Sequence, residues 1–159
     1  MQNKILIACY SQTGNTRRIA ELIQRETHGT LYDIIPEQAY KSLYLGGGTR
    51  IKQERENGIL PKLCMPLPDV QDCTLLFLGT PNWGNSLAHP VLAFLEQCDL
   101  TGTVIATFCT HGGGGAGHIA SDIQARCPQA QVLPVFETYG SGGPDAAEKL
   151  RIWIKGILK

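Results

Sequence analysis

Residues 5–16 read ILIACYSQTGNT, and the run IAELI follows at 19–23. The first five residues are continuously apolar, as in a strand that helices cover on both faces, and the second run has apolar residues at helix spacing. Between them lies SQTGNT (11–16), in which five of the six residues carry hydrogen-bonding side chains. A helix that begins after such a turn presents backbone N–H groups, side-chain donors and the positive end of its dipole to a small anion. The stretch therefore predicts a strand, a phosphate-binding loop and a helix in succession.

The predicted phosphate loop differs from the loop that binds nucleotide triphosphates. It has no Lys and does not match the pattern G-x-x-x-x-G-K-[ST]. A simpler interpretation is that one Thr or Asn merely caps the helix, but capping needs only one such residue. A glycine within the loop would let the backbone bend around the anion. The candidate residues are Ser11, Gln12, Thr13, Gly14, Asn15 and Thr16.

Composition and charge exclude several classes of protein. The 159 residues fit a single domain, 1–159, and Lys plus Arg equals Asp plus Glu at 14 each, with no dense basic run, which disfavours nucleic acid as a partner. Apolar stretches are far shorter than the roughly 20 residues that cross a bilayer, and the N-terminus lacks a signal-peptide core. We therefore expect a cytoplasmic protein with no membrane insertion. The six cysteines form no C-x-x-C pair and the histidines lack partners at ligand spacing, so no metal site is predicted.

Apolar runs alternate with helical spacing along the chain. The runs that predict strands are 4–9, 30–34, 73–79, 103–109 and 132–136. This alternation predicts an α/β fold with a doubly wound parallel sheet between helices, and Pro134 marks the last strand as an edge. One long connection, at about 36–68, interrupts the rhythm. We interpret it as a loop-rich excursion with a short helix around the charged run at 50–56.

Two more loops follow predicted strands at the edge where open α/β sheets bind ligands. After the third strand, Trp83 could stack on a flat ligand from a partly exposed connection, and Gly84 beside it could change conformation. After the fourth, consecutive glycines would let the backbone approach closely. Alternatively, Trp83 anchors its loop on the core and the glycines form only a turn. The candidate residues are Thr80, Pro81, Asn82, Trp83 and Gly84 in the second loop, and Thr110, His111, Gly112, Gly113 and Gly114 in the third.

The three loops together resemble those of the flavodoxin family. SQTGNT (11–16) resembles its phosphate loop, GTPNWG (79–84) the loop that stacks an aromatic ring on the isoalloxazine, and THGGGGAG (110–117) its third flavin loop. The resemblance implies a flavodoxin-like three-layer sandwich with a five-stranded parallel sheet of order 2-1-3-4-5. It also implies non-covalently bound FMN, with the phosphate at 11–16 and Trp83 on the ring. Backbone groups of the second and third loops would contact the polar edge of the ring, namely those of Thr80, Asn82, Gly84, His111 and Gly112.

The family's activity implies an electron carrier. The protein would shuttle low-potential electrons between redox partner proteins, a reductase and an acceptor, by one-electron semiquinone chemistry. Gly84 is the candidate for a main-chain flip next to flavin N5, since glycine lowers its conformational cost. An FMN-dependent NAD(P)H:quinone-type reductase is the alternative, although the chain length leaves little for a substrate domain.

Three further interpretations are weaker. Gly112, Gly114 and Gly117 fit G-x-G-x-x-G, with Glu137 20 residues beyond, but too few residues follow for a dinucleotide fold. A phosphatase with Cys9 as nucleophile would need Arg where Asn15 stands. A flavodoxin-like interaction module that has lost its flavin would not need SQTGNT.

Two departures from the family pattern concern the flavin surroundings. Within 80–95 and 110–121 there is no Asp or Glu, and His89, His111 and His118 fall there instead. We therefore expect little acidic charge around the ring. A second stacking aromatic is also missing from the third loop. The other face of the flavin would therefore either stay open or be covered by the excursion through Tyr40 or Tyr44.

Overall fold

A parallel sheet with helices on both faces forms the molecule, as the alternation of apolar runs predicts. The computed structural model describes residues 4–42 and 45–159. In chain order its elements are β1 (Lys4–Cys9), α1 (Asn15–Thr27), β2 (Thr30–Asp33), α2 (Gly47–Asn57), β3 (Cys73–Trp83), β4 (Ser86–Leu87), α3 (His89–Gln97), β5 (Val104–His111), α4 (Ile119–Arg126), β6 (Gln131–Val132), β7 (Phe136–Tyr139) and α5 (Ala146–Ile157).

The sheet has five parallel positions in the predicted order. β2, β1, β3 and β5 lie side by side, and β6 and β7 both pair with β5 at the fifth position. The predicted strand 132–136 is therefore wrong as one continuous strand. Leu133 still donates its N–H to the carbonyl of Ile105 at 3.0 Å, but Pro134 has no N–H to continue the ladder. The flavodoxin-like order 2-1-3-4-5 is confirmed, with its last strand in two segments.

β3 is longer than the predicted 73–79 and ends in a hairpin. It extends to Trp83 and pairs with the antiparallel β4 across a turn formed by Gly84 and Asn85. Both turn residues have positive φ, 62° and 67°, as a two-residue type I′ turn requires. Residues 80–83, predicted as a loop, are thus the end of a strand.

Alternating side chains of the strands form two core layers. Ile7 and Phe77 face α1 and α5 on one side, whereas Leu6 and Leu76 face α3, α4 and the excursion on the other. The helix spacing at Ile19 and Ile23 is confirmed, because both side chains are fully buried against the sheet. The central strands are therefore apolar on both faces, as parallel strands usually are.

The excursion contains the predicted short helix, which is α2. The two ends of the excursion meet at an isolated antiparallel bridge between Pro36 and Leu63. Tyr44 lies outside the described residues. Among the helices of residues 4–42 and 45–159, none has both the length and the apolar character that crossing a membrane requires.

Burial of α5 predicts a large cost for truncating its central residue. Leu150 is fully buried against the layer that includes α1, so Leu150→Ala should lower the free energy of unfolding by about 2 to 5 kcal/mol. Ile152 on the same helix is 66% exposed, and Ile152→Ala should change stability by less than about 0.5 kcal/mol. Urea denaturation of both variants measures this, and equal losses would contradict the assignment of the buried face.

Candidate functional site

The carboxyl ends of β1, β3 and β5 bring the three predicted loops to one edge of the sheet. Cys9 pairs with Gly79, and Thr80 pairs with Cys109, so all three strands run in the same direction toward this edge. Just beyond β1, Tyr10 donates its N–H to the Gly79 carbonyl at 3.2 Å. The loops that follow these strands are therefore neighbours, as the rule for open α/β sheets predicts.

The first loop ends at a helix start that no side chain caps. Gly14 is the N-cap residue of α1, with φ 98°, and no side-chain hydrogen bond caps the helix. The hydroxyl of Ser11 accepts the Gly14 N–H at 3.1 Å and shapes the turn, while Thr13 is exposed. Since the first N–H groups of a helix have no partner within it, they are available to an anion. The simple capping alternative is therefore wrong.

Two side chains of the first loop contact other parts of the protein. Thr16 and Thr110 are both buried, and their hydroxyls lie 2.7 Å apart, which joins the first loop to the third. Gln12 donates to the carbonyl of Lys41 at 3.0 Å and joins the first loop to the excursion. The phosphate loop is thus held from two sides, and Thr13 and Asn15 are its other polar side chains.

Asn82 joins the second loop to the third. Its side-chain amide donates to the carbonyl of Gly115 at 2.6 Å and accepts the N–H of Asn85 at 2.8 Å. The carbonyl of Asn85 in turn accepts the N–H of His118 at 2.6 Å. A Cβ on Gly117 would lie 2.4 Å from that carbonyl oxygen, so close approach of the two loops requires glycine there.

Thr80 and Pro81 belong to the end of β3 that precedes the hairpin turn. The Thr80 hydroxyl is buried, accepts the N–H of Ala88 at 3.0 Å and lies 2.8 Å from the Pro81 carbonyl. Its side chain therefore stabilises the hairpin from inside.

Trp83 is less exposed than the sequence suggested. It is the last residue of β3 and only 8% exposed, with its ring edge-on to those of Tyr10, Tyr40 and His89 at centroid distances of 5.6, 4.9 and 5.6 Å. The expectation of a partly exposed loop residue is wrong, because burying a large indole among aromatic rings stabilises the hairpin end. The anchoring alternative describes this geometry, and stacking on a flavin stays a prediction.

A hydrogen bond fixes the first residues of the third loop, and its central glycines border open space. The imidazole of His111 accepts the Gly113 N–H at 3.0 Å. A Cβ on Gly112 or Gly113 would meet no atom within 4 Å, so these glycines border open space. Gly114 is also exposed. The centre of the loop can therefore approach a ligand with its backbone.

A second aromatic ring, which sequence reasoning missed, stands beside the third loop. Tyr139 ends β7 at the same edge of the sheet, with its ring edge-on to His111 at 6.2 Å and 71% exposed. Tyr40, by contrast, is buried beside Trp83. The signal that could have identified Tyr139 is its position at the end of the strand that pairs with β5, since neighbouring parallel strands end at the same edge of the sheet.

Distant residues supply carboxylates close to the loops, although none lies within 80–95 or 110–121. Glu137 on β7 accepts the Ala116 N–H at 2.9 Å and lies 3.8 Å from the imidazole of His111. On α2, the Glu54 carboxylate lies 2.8 Å from Nδ1 of His89. The pairing of β7 with β5 brings in Glu137, and the packing of the excursion brings in Glu54, so no local stretch of sequence contains them.

Glu54 joins the excursion to the second loop through a buried cluster. Its Oε1 also accepts the Tyr40 hydroxyl at 2.6 Å, and its Oε2 accepts Nε of Arg50 at 3.1 Å. The Arg50 guanidinium stacks 3.7 Å from the centre of the Tyr40 ring. Burial and the hydrogen bond to Glu54 raise the pKa of Tyr40, which keeps the phenol protonated. The excursion is therefore attached to the site through Tyr40 and His89, both of which contact Trp83.

The environment of Cys9 argues against a nucleophilic phosphatase. Burial, together with the nearby Asp33 carboxylate, raises the pKa of the Cys9 thiol to about 12. Nucleophilic cysteines need the opposite shift. Arg17 forms a salt bridge with Asp33, so its guanidinium is paired with a carboxylate and does not hold a phosphate in the loop.

Metal ligation finds no support in the described ranges, where no cluster of three or more His, Cys, Asp or Glu side chains could hold an ion.

The chain belongs to the flavodoxin family, because a family model described as Flavodoxin matches residues 4–156. Among solved structures, a candidate flavoprotein from Bacteroides eggerthii is 26% identical, with a TM-score of 0.85 and coverage of 99% of both chains. A flavoprotein from Lactobacillus acidophilus in complex with FMN is 22% identical, with a TM-score of 0.75 and coverage of 86% of this chain and 93% of that one. Oxidised flavodoxin 2 from Bacillus cereus is 19% identical, with a TM-score of 0.65 and coverage of 98% and 97%. No curated protein matches the chain.

The resemblance drawn from the three loops is thereby confirmed at the level of family and fold. The dinucleotide interpretation loses its acidic residue, since the Glu137 carboxylate already accepts a backbone N–H of the third loop.

Differences in burial predict selective alkylation of the cysteines. Cys64 is exposed, whereas burial raises the pKa of both Cys9 and Cys109 to about 12. With iodoacetamide at about pH 8, below the raised values, Cys64 should react while Cys9 and Cys109 stay protonated and unmodified. Peptide mass spectrometry locates the label, and a sample unfolded in urea, where all thiols should react, is the control. Labelling of native Cys9 as fast as Cys64 would contradict the buried, neutral thiol.

Proposed function

We propose that the protein binds FMN at the carboxyl edge of its sheet and carries electrons between redox partner proteins. The observation that carries this proposal is the convergence of the three loops, joined by the Thr16–Thr110 hydroxyl contact and by the bond from Asn82 to Gly115. Membership of the flavodoxin family and the FMN-bound relative from Lactobacillus acidophilus support a flavin as cofactor.

The first loop suits the phosphate group. The N–H groups at the start of α1 have no side-chain cap, and a Cβ on Gly14 would meet no atom within 4 Å, so the turn borders open space. Thr13 and Asn15 would add side-chain donors to these N–H groups. Because the hydroxyl of Ser11 already accepts the Gly14 N–H, the turn is preformed. A preformed turn loses little conformational entropy when the anion binds.

The second and third loops suit the flat ring. Backbone groups of Asn82, Gly84 and Gly112 would meet its polar edge, and the last residues of β3 and β7, Trp83 and Tyr139, add aromatic rings at this end of the sheet. When bound, FMN supplies the one-electron redox chemistry, and the protein supplies position and electrostatics.

Gly84 is the residue whose carbonyl we assign to the N5 edge of the ring. Its φ of 62° and that of Asn85 define the tight turn, and only glycine tolerates both orientations of the following peptide. Reorientation of that peptide would break the 2.8 Å bond from the Asn85 N–H to Asn82. Breaking this hydrogen bond would cost free energy, and that cost would oppose the reorientation of the Gly84 carbonyl toward N5.

A carrier is favoured over an enzyme with its own substrate. The relative from Bacteroides eggerthii aligns over 99% of both chains, so nearly the whole chain is accounted for by the shared fold. We accordingly propose a reductase and an electron acceptor, both proteins, as partners. The alternative is an FMN-dependent NAD(P)H:quinone-type reductase.

An absorbance spectrum separates these possibilities. The purified protein is incubated with FMN, desalted and then given NADPH alone. Flavin bands that persist through desalting and do not bleach are expected of a carrier that needs a separate reductase. Bleaching by NADPH would favour the reductase instead, and no retained flavin would contradict the FMN site itself.

Thr13→Val tests the phosphate loop directly. If the hydroxyl bonds the charged phosphate, the variant should weaken FMN binding by about 1 to 3 kcal/mol. Thr30→Val is the matched control. Thr30 is exposed at the start of β2, the end of the sheet away from the three loops, so this variant should leave the affinity for FMN unchanged. Fluorescence titration of FMN gives both dissociation constants. Equal affinity for wild type and Thr13→Val would mean that Thr13 does not contact the phosphate.

A further inference from the structure

A cleft of about 350 Å³ lies between the excursion and α3, beside β4 of the hairpin. Its size falls within the range of small-molecule sites, about 300 to 1,000 Å³. Its lining includes Glu54, Arg55, Leu60, Leu87, His89 and Leu92, together with Glu96 and Arg126. None of these residues belongs to the three loops proposed to hold FMN.

One wall of the cleft is apolar. Leu87 is buried beneath it, Leu60 and Leu92 are half-buried, and Ile59 at its margin is 56% exposed. Covering this surface would remove apolar area from water and favour an occupant with a hydrocarbon or aromatic body.

The carboxylates that line the cleft already have partners. Glu96 is 3.0 Å from Arg126, and Glu54 accepts bonds from Tyr40, His89 and Arg50. A cationic ligand would therefore have to displace existing donors.

Arg55 is the cation of the cleft that takes part in none of these ion pairs. It donates to the Trp83 carbonyl at 3.3 Å, and the salt bridges within 4–42 and 45–159 all involve other cations. A Cβ on Gly84 would lie 2.7 Å from its Nη2, so the guanidinium rests directly on the hairpin turn. A guanidinium that makes one long bond to a neutral carbonyl retains donors for an anion.

His89 supplies a second polar group with a defined orientation. Oε2 of Glu54 accepts Nε–H of Arg50, and Oε1, the oxygen that faces His89, also accepts the Tyr40 hydroxyl. Both carboxylate oxygens therefore act as acceptors, and Nδ1 of His89 donates the hydrogen. Nε2 is then the ring nitrogen left to face a ligand. A carboxylate that fixes an imidazole in this way is a common arrangement where histidine binds or exchanges protons with a ligand.

We propose that this cleft binds a small organic anion with an apolar body. Its charged group would pair with Arg55 and lie within reach of His89, and its body would cover the leucine wall. The site does not require FMN. Because Arg55 also bonds the Trp83 carbonyl, the anion would sit beside the turn that the proposed function assigns to the flavin ring.

Benzoate is the probe, and benzyl alcohol is its uncharged counterpart of similar shape. Isothermal titration of the full-length protein should show saturable binding of benzoate and binding of benzyl alcohol that is weaker by at least about tenfold, since a charge-assisted bond is lost. Arg55→Gln should weaken benzoate by a similar factor, and Arg55→Lys should restore part of it. Lys52→Gln is the matched control, because Lys52 is an exposed cation of the same helix and should not affect the titration.

Three results would overturn the proposal: no saturable binding of benzoate, equal binding of benzoate and benzyl alcohol, or unchanged benzoate affinity in Arg55→Gln. Circular dichroism of each variant establishes that it is folded. Retention of FMN, read separately from the flavin absorbance, distinguishes failure of this site from failure of the proposed flavin site.

Discussion

The parallel pairing of β1, β3 and β5 is the constraint on which the rest of the structure depends. Their registers place Cys9 opposite Gly79 and Thr80 opposite Cys109, so that three chain segments leave the sheet at one edge. These strands can be apolar on both faces only because helices cover them on both sides. The same core that stabilises the protein therefore determines where its polar loops meet.

Polar contacts between the loops turn this proximity into a defined site. The two buried threonine hydroxyls join the first and third loops, and Asn82 joins the second to the third. The excursion is attached by Glu54, a buried carboxylate that binds Tyr40 and His89, two of the three residues packed edge-on against Trp83. Removing one partner from such a cluster leaves a buried charge unsatisfied, which is costly. The long connection is thus part of the support for the hairpin that carries Gly84.

Local sequence predicted the parts of the fold that depend on neighbouring residues. Apolar runs located the strands, helix spacing located the helices, and SQTGNT located the turn before α1. The split of the last strand at Pro134 and the carboxylates Glu54 and Glu137 were not predicted, and the burial of Trp83 was only the alternative to a partly exposed ring. The split follows locally from the missing N–H of Pro134, whereas the positions of Trp83, Glu54 and Glu137 depend on contacts between segments far apart in the chain, which short windows of sequence do not contain. Tyr139 was missed for the same reason, since it reaches the third loop only through the pairing of β7 with β5.

The central claim is that three loops form one FMN site, and an NMR titration tests it most directly. In ¹⁵N-labelled protein, addition of FMN should shift the backbone amide signals of 11–16, 82–85 and 110–115 together, with one common dissociation constant. Amides at the opposite edge of the sheet, such as those of Thr30 and Thr103, should stay unchanged. Shifts confined to the cleft around Arg55, or different dissociation constants for the three loops, would contradict a single site at the carboxyl ends of the strands.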